Sequence, residues 1–177
     1  MKFSSVLVIG LVFLSALTRL APHPVNFTPV IAMSLFAGVF ISNKRLSLAA
    51  PLFAMLLSDL FLGTTDLFIS LSVYVSLIGL VLLVQQFDAE KWNGFKSKSM
   101  YCISTGVLGS VFFFLTTNFA VWAQGIFYPK NFSGLMECYV AALPFFQNTL
   151  VGTFFYGSAL LVVKRSAEKF ISTKVRA

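Results

Sequence analysis

An all-α bundle of six transmembrane helices is the fold this sequence predicts, and three observations predict it. The 177 residues are 58% apolar and only 11% charged, with a mean hydropathy of +0.87. A soluble domain carries about 25% charged residues. Hydrophobic runs recur along nearly the whole chain and leave nothing over for a soluble domain, so residues 1–177 read as one membrane domain. The basic residues also fall in alternate gaps. With the N-terminus in the cytoplasm, the inside holds eleven of them: Lys2, Lys44, Arg45, Lys91, Lys96, Lys98, Lys164, Arg165, Lys169, Lys174 and Arg176. The outside keeps two, Arg19 and Lys130. This is a positive-inside distribution, and it puts both termini in the cytoplasm.

A crossing needs about 20 residues, within a range of about 17–25. The first segment, 3–20, follows Lys2. It resembles a signal peptide in outline, but Arg19 occupies the place of a cleavage region, so the expectation is that it is retained. The second, 28–42, is short and follows a proline-rich gap. The third, 46–62, is interrupted by Asp59. Tilt, or lining by protein rather than lipid, accommodates both. The fourth is 67–84, and the fifth and sixth are 100–122 and 147–163.

The gaps differ by side. The inside ones are Asn43-Lys44-Arg45 and the polar linker 85–99, which holds Asp88, Glu90 and Trp92 without phosphate-loop or metal spacing. Outside, Pro22, Pro24 and Pro29 stiffen the first gap, and 63–66 is a tight turn. The last outside gap, 123–146, is long. Residues 133–143 can form a short helix across the mouth of the bundle, with Pro144 ending it. A stiff loop facing a long closing loop is the layout of a ligand lid, and equally that of a packed external cap. Cys102 and Cys138 fall on opposite faces, so no disulfide joins them. The net charge of +7 follows the membrane topology and not a nucleic-acid surface; membrane lipid is the partner it implies.

The chemistry lies among the few polar residues of the outer half. Asp59 sits in an apolar span, where an unpaired carboxylate costs several kcal/mol. It is interfacial, or paired with Arg19, or a ligand or proton site facing an external cavity. His23, the only histidine, stands between two prolines; it is a packed ring or a solute contact, and a metal ligand only if the solute carries a metal. Asn26 lies three residues on. Asn118 and Trp122 share a helix face, and Asn148, Gly152 and Tyr156 share another. These either pack helices together or line a site. Tyr128, Phe132, Tyr139, Phe145 and Phe146 form an interfacial belt or a stacking lid. No zinc helix, nucleophile elbow or nucleotide loop is present, so no catalytic residue and no intrinsic cofactor is expected.

The runs Arg19-Leu20-Ala21-Pro22-His23-Pro24-Val25-Asn26-Phe27-Thr28-Pro29-Val30 and PLFAMLLSDLFLG at 51–63 resemble an uncharacterised group of bacterial inner-membrane proteins. So do Thr117-Asn118-Phe119-Ala120-Val121-Trp122, Tyr128-Pro129, Gly134-Leu135, Cys138-Tyr139, Ala142-Leu143-Pro144-Phe145-Phe146 and Asn148-Thr149-Leu150. That group is in turn similar, in size, crossings and loop placement, to the S components of energy-coupling-factor vitamin transporters, nearest the solitary cobalamin branch. The resemblance implies a vitamin-like solute held in an outward cavity under the first, third and fifth loops. Cobalamin is the transported ligand that branch implies, and an ATP-driven energising module is the implied partner. The cobalamin branch contacts cobalt through a cysteine after its third segment, and residues 63–74 here hold none. Gly10 and Ala16 do not make the four-apart pattern of small residues with which module-sharing S components begin.

The expectation is a carrier or substrate-binding subunit in which His23, Asn26, Asp59, Asn118, Trp122, Tyr128, Tyr139 and Asn148 contact the solute. The rivals are an envelope scaffold, and a membrane enzyme using His23 and Asp59.

Overall fold

The computed structural model describes residues 5–41, 43–63, 66–86 and 95–176, and among these every regular element is a helix. The order is α1 (Ser5–Leu20), α2 (Val30–Phe40), α3 (Lys44–Leu62), α4 (Leu67–Gln86), α5 (Phe95–Gln124) and α6 (Phe132–Arg176). Among the described residues four stretches are long and apolar enough to cross a membrane: α3, α4, Ile103–Gln124 of α5 and Phe132–Ala167 of α6. The chain is a multi-pass helical membrane bundle.

Several expected boundaries move, each for a local reason. Helix α2 opens at Val30 because Pro29, with no N–H to donate, sits at its N-cap, and it ends where Ile41 turns extended. Ser42 lies outside the described residues. Asn43-Lys44-Arg45 is no gap. The Asn43 side chain accepts from the backbone N–H of Arg45 at 3.0 Å and of Leu46 at 3.2 Å, and so starts α3 two residues early. Of the linker 85–99, residues 87–94 lie outside the description and Phe95 onward belongs to α5. Thr64 and Thr65 of the 63–66 turn also lie outside it.

The largest correction concerns the last gap. No separate cap helix ends at Pro144. Helix α6 runs unbroken through it, and only residues 125–131 separate α5 from α6. The lost proline N–H is outweighed by packing on either side. Tyr139 and Phe146 flank Pro144 and both rest on Phe114 of α5, with ring centroids 5.5 and 4.9 Å away. A long loop free to close over the bundle is therefore absent. At 45 residues α6 is about 67 Å long, more than a whole bilayer, so it projects beyond the membrane.

Helix α2 is the centre of the bundle. It touches α3, α4, α5 and α6, and Val30 through Ala37 are all buried. Lipid tails are as apolar as leucine, so packing and polar ties hold such helices together. Close approach comes from glycine. A Cβ on Gly38 would stand 3.1 Å from the Val81 carbonyl oxygen, and one on Gly109 would stand 3.3 Å from the Leu35 methyls. Hydroxyls tie the neighbours. Ser76 and Thr116 join α4 to α5 at 2.6 Å, Ser110 donates to Thr153 across α5 and α6 at 3.1 Å, and Gln85 donates to Ser47 across α4 and α3 at 2.6 Å. Such ties contribute about 0.6 kcal/mol each on average. These pairings make α1 and α3 run one way and α2 and α4 the other. Residues 21–29, the helix ends at Gly63 and Asp66, and residues 125–131 therefore gather at one end, the first-loop end.

Candidate functional site

At the first-loop end, three helices converge on one ionic centre. Arg19 is the penultimate residue of α1, on the face that carries the buried Leu11, Val12, Ser15 and Ala16. Its Nη1 lies 3.0 Å from Asp59 Oδ1 in the last turn of α3, with both side chains 14% exposed. The same nitrogen donates to Met55 O at 3.3 Å and to Ser58 Oγ. Asp59 Oδ2 accepts the Tyr74 hydroxyl of α4 at 2.8 Å. Tyr74 shares a helix face with the fully buried Leu77 and Val81, so its ring is drawn inward. Ser58, itself fully buried, is turned toward the carbonyls of Ala54 and Met55.

The pairing of Asp59 with Arg19 is thus realised. Tyr74 and Ser58 escaped the sequence reading. The usable signal was a phenol in the middle of an uncharged span, since a buried hydroxyl requires an acceptor.

Several of the other expected contacts also make hydrogen bonds within the protein. Asn118 Nδ2 donates to Phe114 O of its own helix at 2.8 Å. Trp122 Nε1 donates to Pro129 O at 3.1 Å and Tyr139 Oη to Leu115 O at 2.8 Å, both locking the α5–α6 hairpin. Half-buried Tyr128 lies in the turn of that hairpin. Cys138 is buried in α6 with its thiol directed at Asn118 O, 3.4 Å away; the Cys102 side chain lies outside the description.

His23 does not stand clear of its own loop. Its Nδ1 donates to Pro24 O at 2.9 Å, and the same carbonyl accepts the Phe27 N–H at 3.0 Å, closing a turn. Asn26 takes the left-handed place in that turn, with φ 64°. Asn26→Gly should therefore change stability by only a few tenths of a kcal/mol. Asn26→Val should cost about 1–2 kcal/mol, read as a lower thermal midpoint in detergent.

The first loop is seated on α6. Asn148 Nδ2 donates to Val25 O at 3.0 Å. Phe27 packs on Phe155 and Tyr156, with centroids 5.6 and 5.4 Å away. Gly152 lets the loop backbone in, since a Cβ there would stand 3.2 Å from both Phe27 Cα and Thr28 N. Asn148→Ala should release the loop at a cost of about 1 kcal/mol. Faster proteolytic cleavage within 21–29, with the bundle's midpoint little changed, is the check.

The eight expected contacts thus divide into an ionic centre on α1, α3 and α4, a locked hairpin, and an anchored loop. Among the described residues no group of three histidine, cysteine or acidic side chains is placed to hold a metal ion. Fold and polar core together define a polytopic helical membrane protein with a largely buried ion pair near one end of the bundle. The chain belongs to DUF6580, a family of unknown function, matched over residues 1–173. No curated protein and no solved structure matches it.

Proposed function

We propose that this protein binds a small organic solute at the first-loop end of the bundle and serves its passage across a bacterial inner membrane, as a carrier or as the binding subunit of one. The observation that carries this reading is the Arg19–Asp59–Tyr74 centre. Ionisable groups inside membrane spans are costly and are kept where an ion or a solute is handled. The charge distribution supports a first-loop end that faces outward, where a solute arrives. The resemblance to vitamin-transporter S components supports a vitamin-like solute. No nucleotide loop occurs in the sequence, so ATP-driven transport draws on a separate energising module.

The test is mass spectrometry of small molecules that co-purify with the protein, followed by thermal stabilisation by the compound found. Tyr74→Phe removes one hydroxyl without unpairing the charges and should weaken that stabilisation about tenfold in concentration. A purified protein with no bound solute and no response to solute libraries contradicts the reading.

One set of observations favours an envelope scaffold as the second reading. Asn118, Trp122, Tyr139 and Asn148 all donate to backbone carbonyls and so stiffen the first-loop end. A stable protein partner co-purifying where solute screens stay flat supports that alternative.

A further inference from the structure

The ionic centre uses Arg19 unevenly. A guanidinium has five N–H donors in one plane. The three acceptors around Arg19, Met55 O, Ser58 Oγ and Asp59 Oδ1, all lie against Nη1 and share its two hydrogens. Nε and Nη2, which form the opposite edge, meet no acceptor among the described residues. That edge is a two-pronged donor whose spacing matches the two oxygens of a carboxylate or phosphate.

Its position suits an incoming oxyanion. Arg19 and Asp59 each lie in the last turn of their helices, and each keeps 14% of its side chain exposed. The one net negative charge that a bound oxyanion adds is therefore set at the bundle's end and not at mid-membrane. Asp59 is held through Oδ2 by the Tyr74 hydroxyl, a bond it would give up in turning to the Nε–Nη2 edge. The two residues that follow Asp59 in the chain, Leu60 and Phe61, are apolar and exposed.

We propose that the Nε–Nη2 edge of Arg19 is an oxyanion subsite, and that the solute it takes is a small carboxylate with an apolar remainder. This rests on the solute-binding reading above and specifies its substrate class. The same edge would also accept a phospholipid phosphate, so the two sources need separate arms.

The experiment uses purified full-length protein in a neutral detergent. One arm titrates benzoate and hexanoate against their primary amides, reading the thermal midpoint. The other adds phosphatidylglycerol or phosphatidylcholine in place of the acids. Both are repeated with Arg19→Lys, which keeps the charge and the Asp59 partner but has no fork. The expected result is stabilisation by the carboxylates and not the amides, with the half-effective concentration raised at least tenfold in Arg19→Lys when each protein is read against its own ligand-free midpoint.

Equal responses to acids and amides, an Arg19→Lys variant that responds like wild type, or a flat response in both arms overturns the subsite. A co-purified solute lacking any oxyanion sinks the subsite and leaves the solute-binding reading standing. Arg19-dependent stabilisation by phospholipid alone keeps the oxyanion edge, overturns its assignment to a carboxylate solute, and removes this centre as support for solute binding.

Discussion

Asp59→Ala is expected to destabilise the bundle by about 3–5 kcal/mol, the cost of leaving a largely buried charge without its counter-ion. Arg19 stays in place after the substitution, held by Met55 O and Ser58 Oγ, neither of which carries a charge. Tyr74 loses its acceptor at the same time. Desolvation, more than the lost attraction, makes the single change severe. It follows that removing both charges is milder than removing one. Arg19→Met combined with Asp59→Leu should recover most of the loss, and Tyr74→Phe alone should cost about 1 kcal/mol. Reversible denaturant unfolding in mixed micelles measures all four proteins. A double variant no more stable than Asp59→Ala would show that the two groups are not energetically coupled.

Gly134→Ala is the second large effect. Gly134 stands in the first turn of α6, where a Cβ would overlap the Pro129 carbonyl oxygen. That oxygen cannot yield cheaply, because it accepts the Asn131 N–H at 2.8 Å and Trp122 Nε1 at 3.1 Å. The Gly134 N–H is itself held by Asn131 Oδ1 at 2.8 Å. An added methyl must push the turn open, at about 2–3 kcal/mol, and it will pull Trp122 off its acceptor. A shift in Trp122 fluorescence, read in a Trp92→Phe background, should accompany the stability loss. An unshifted spectrum would mean that the hairpin absorbs the methyl elsewhere.

Much of the fold was legible because lipid leaves few choices. A run such as 67–84 has no stable form in hydrocarbon but a helix, and α4 follows it closely. Pro144 misled because a missing N–H is visible in the sequence, whereas the packing of Tyr139 and Phe146 on Phe114 is not. Asn43 is a similar case: an amide beside two cations reads as a gap until its oxygen is seen to cap α3.

The candidate site was legible to the extent that charge is scarce. Of the two cations on its side, Arg19 and Lys130, only Arg19 lies in an apolar segment, and Asp59 pairs with it. The uncharged residues were harder, because an amide at Asn118 or Asn148 serves a backbone carbonyl as readily as a ligand, and only geometry separates the two uses. His23 shows the same limit, since its flanking prolines fix the backbone but do not aim the ring.

Because α2 is short and enclosed, biogenesis has a fixed order. Eleven residues reach about 16 Å, too little to be released from the translocon as an independent span, so α2 must enter alongside α3. One of the flanks that shield it belongs to α6, the last of the six helices to leave the ribosome. Until then one side of α2 is bare. A nonsense mutation before α6 should therefore yield no smaller working bundle, only a nascent chain destined for membrane quality-control proteases.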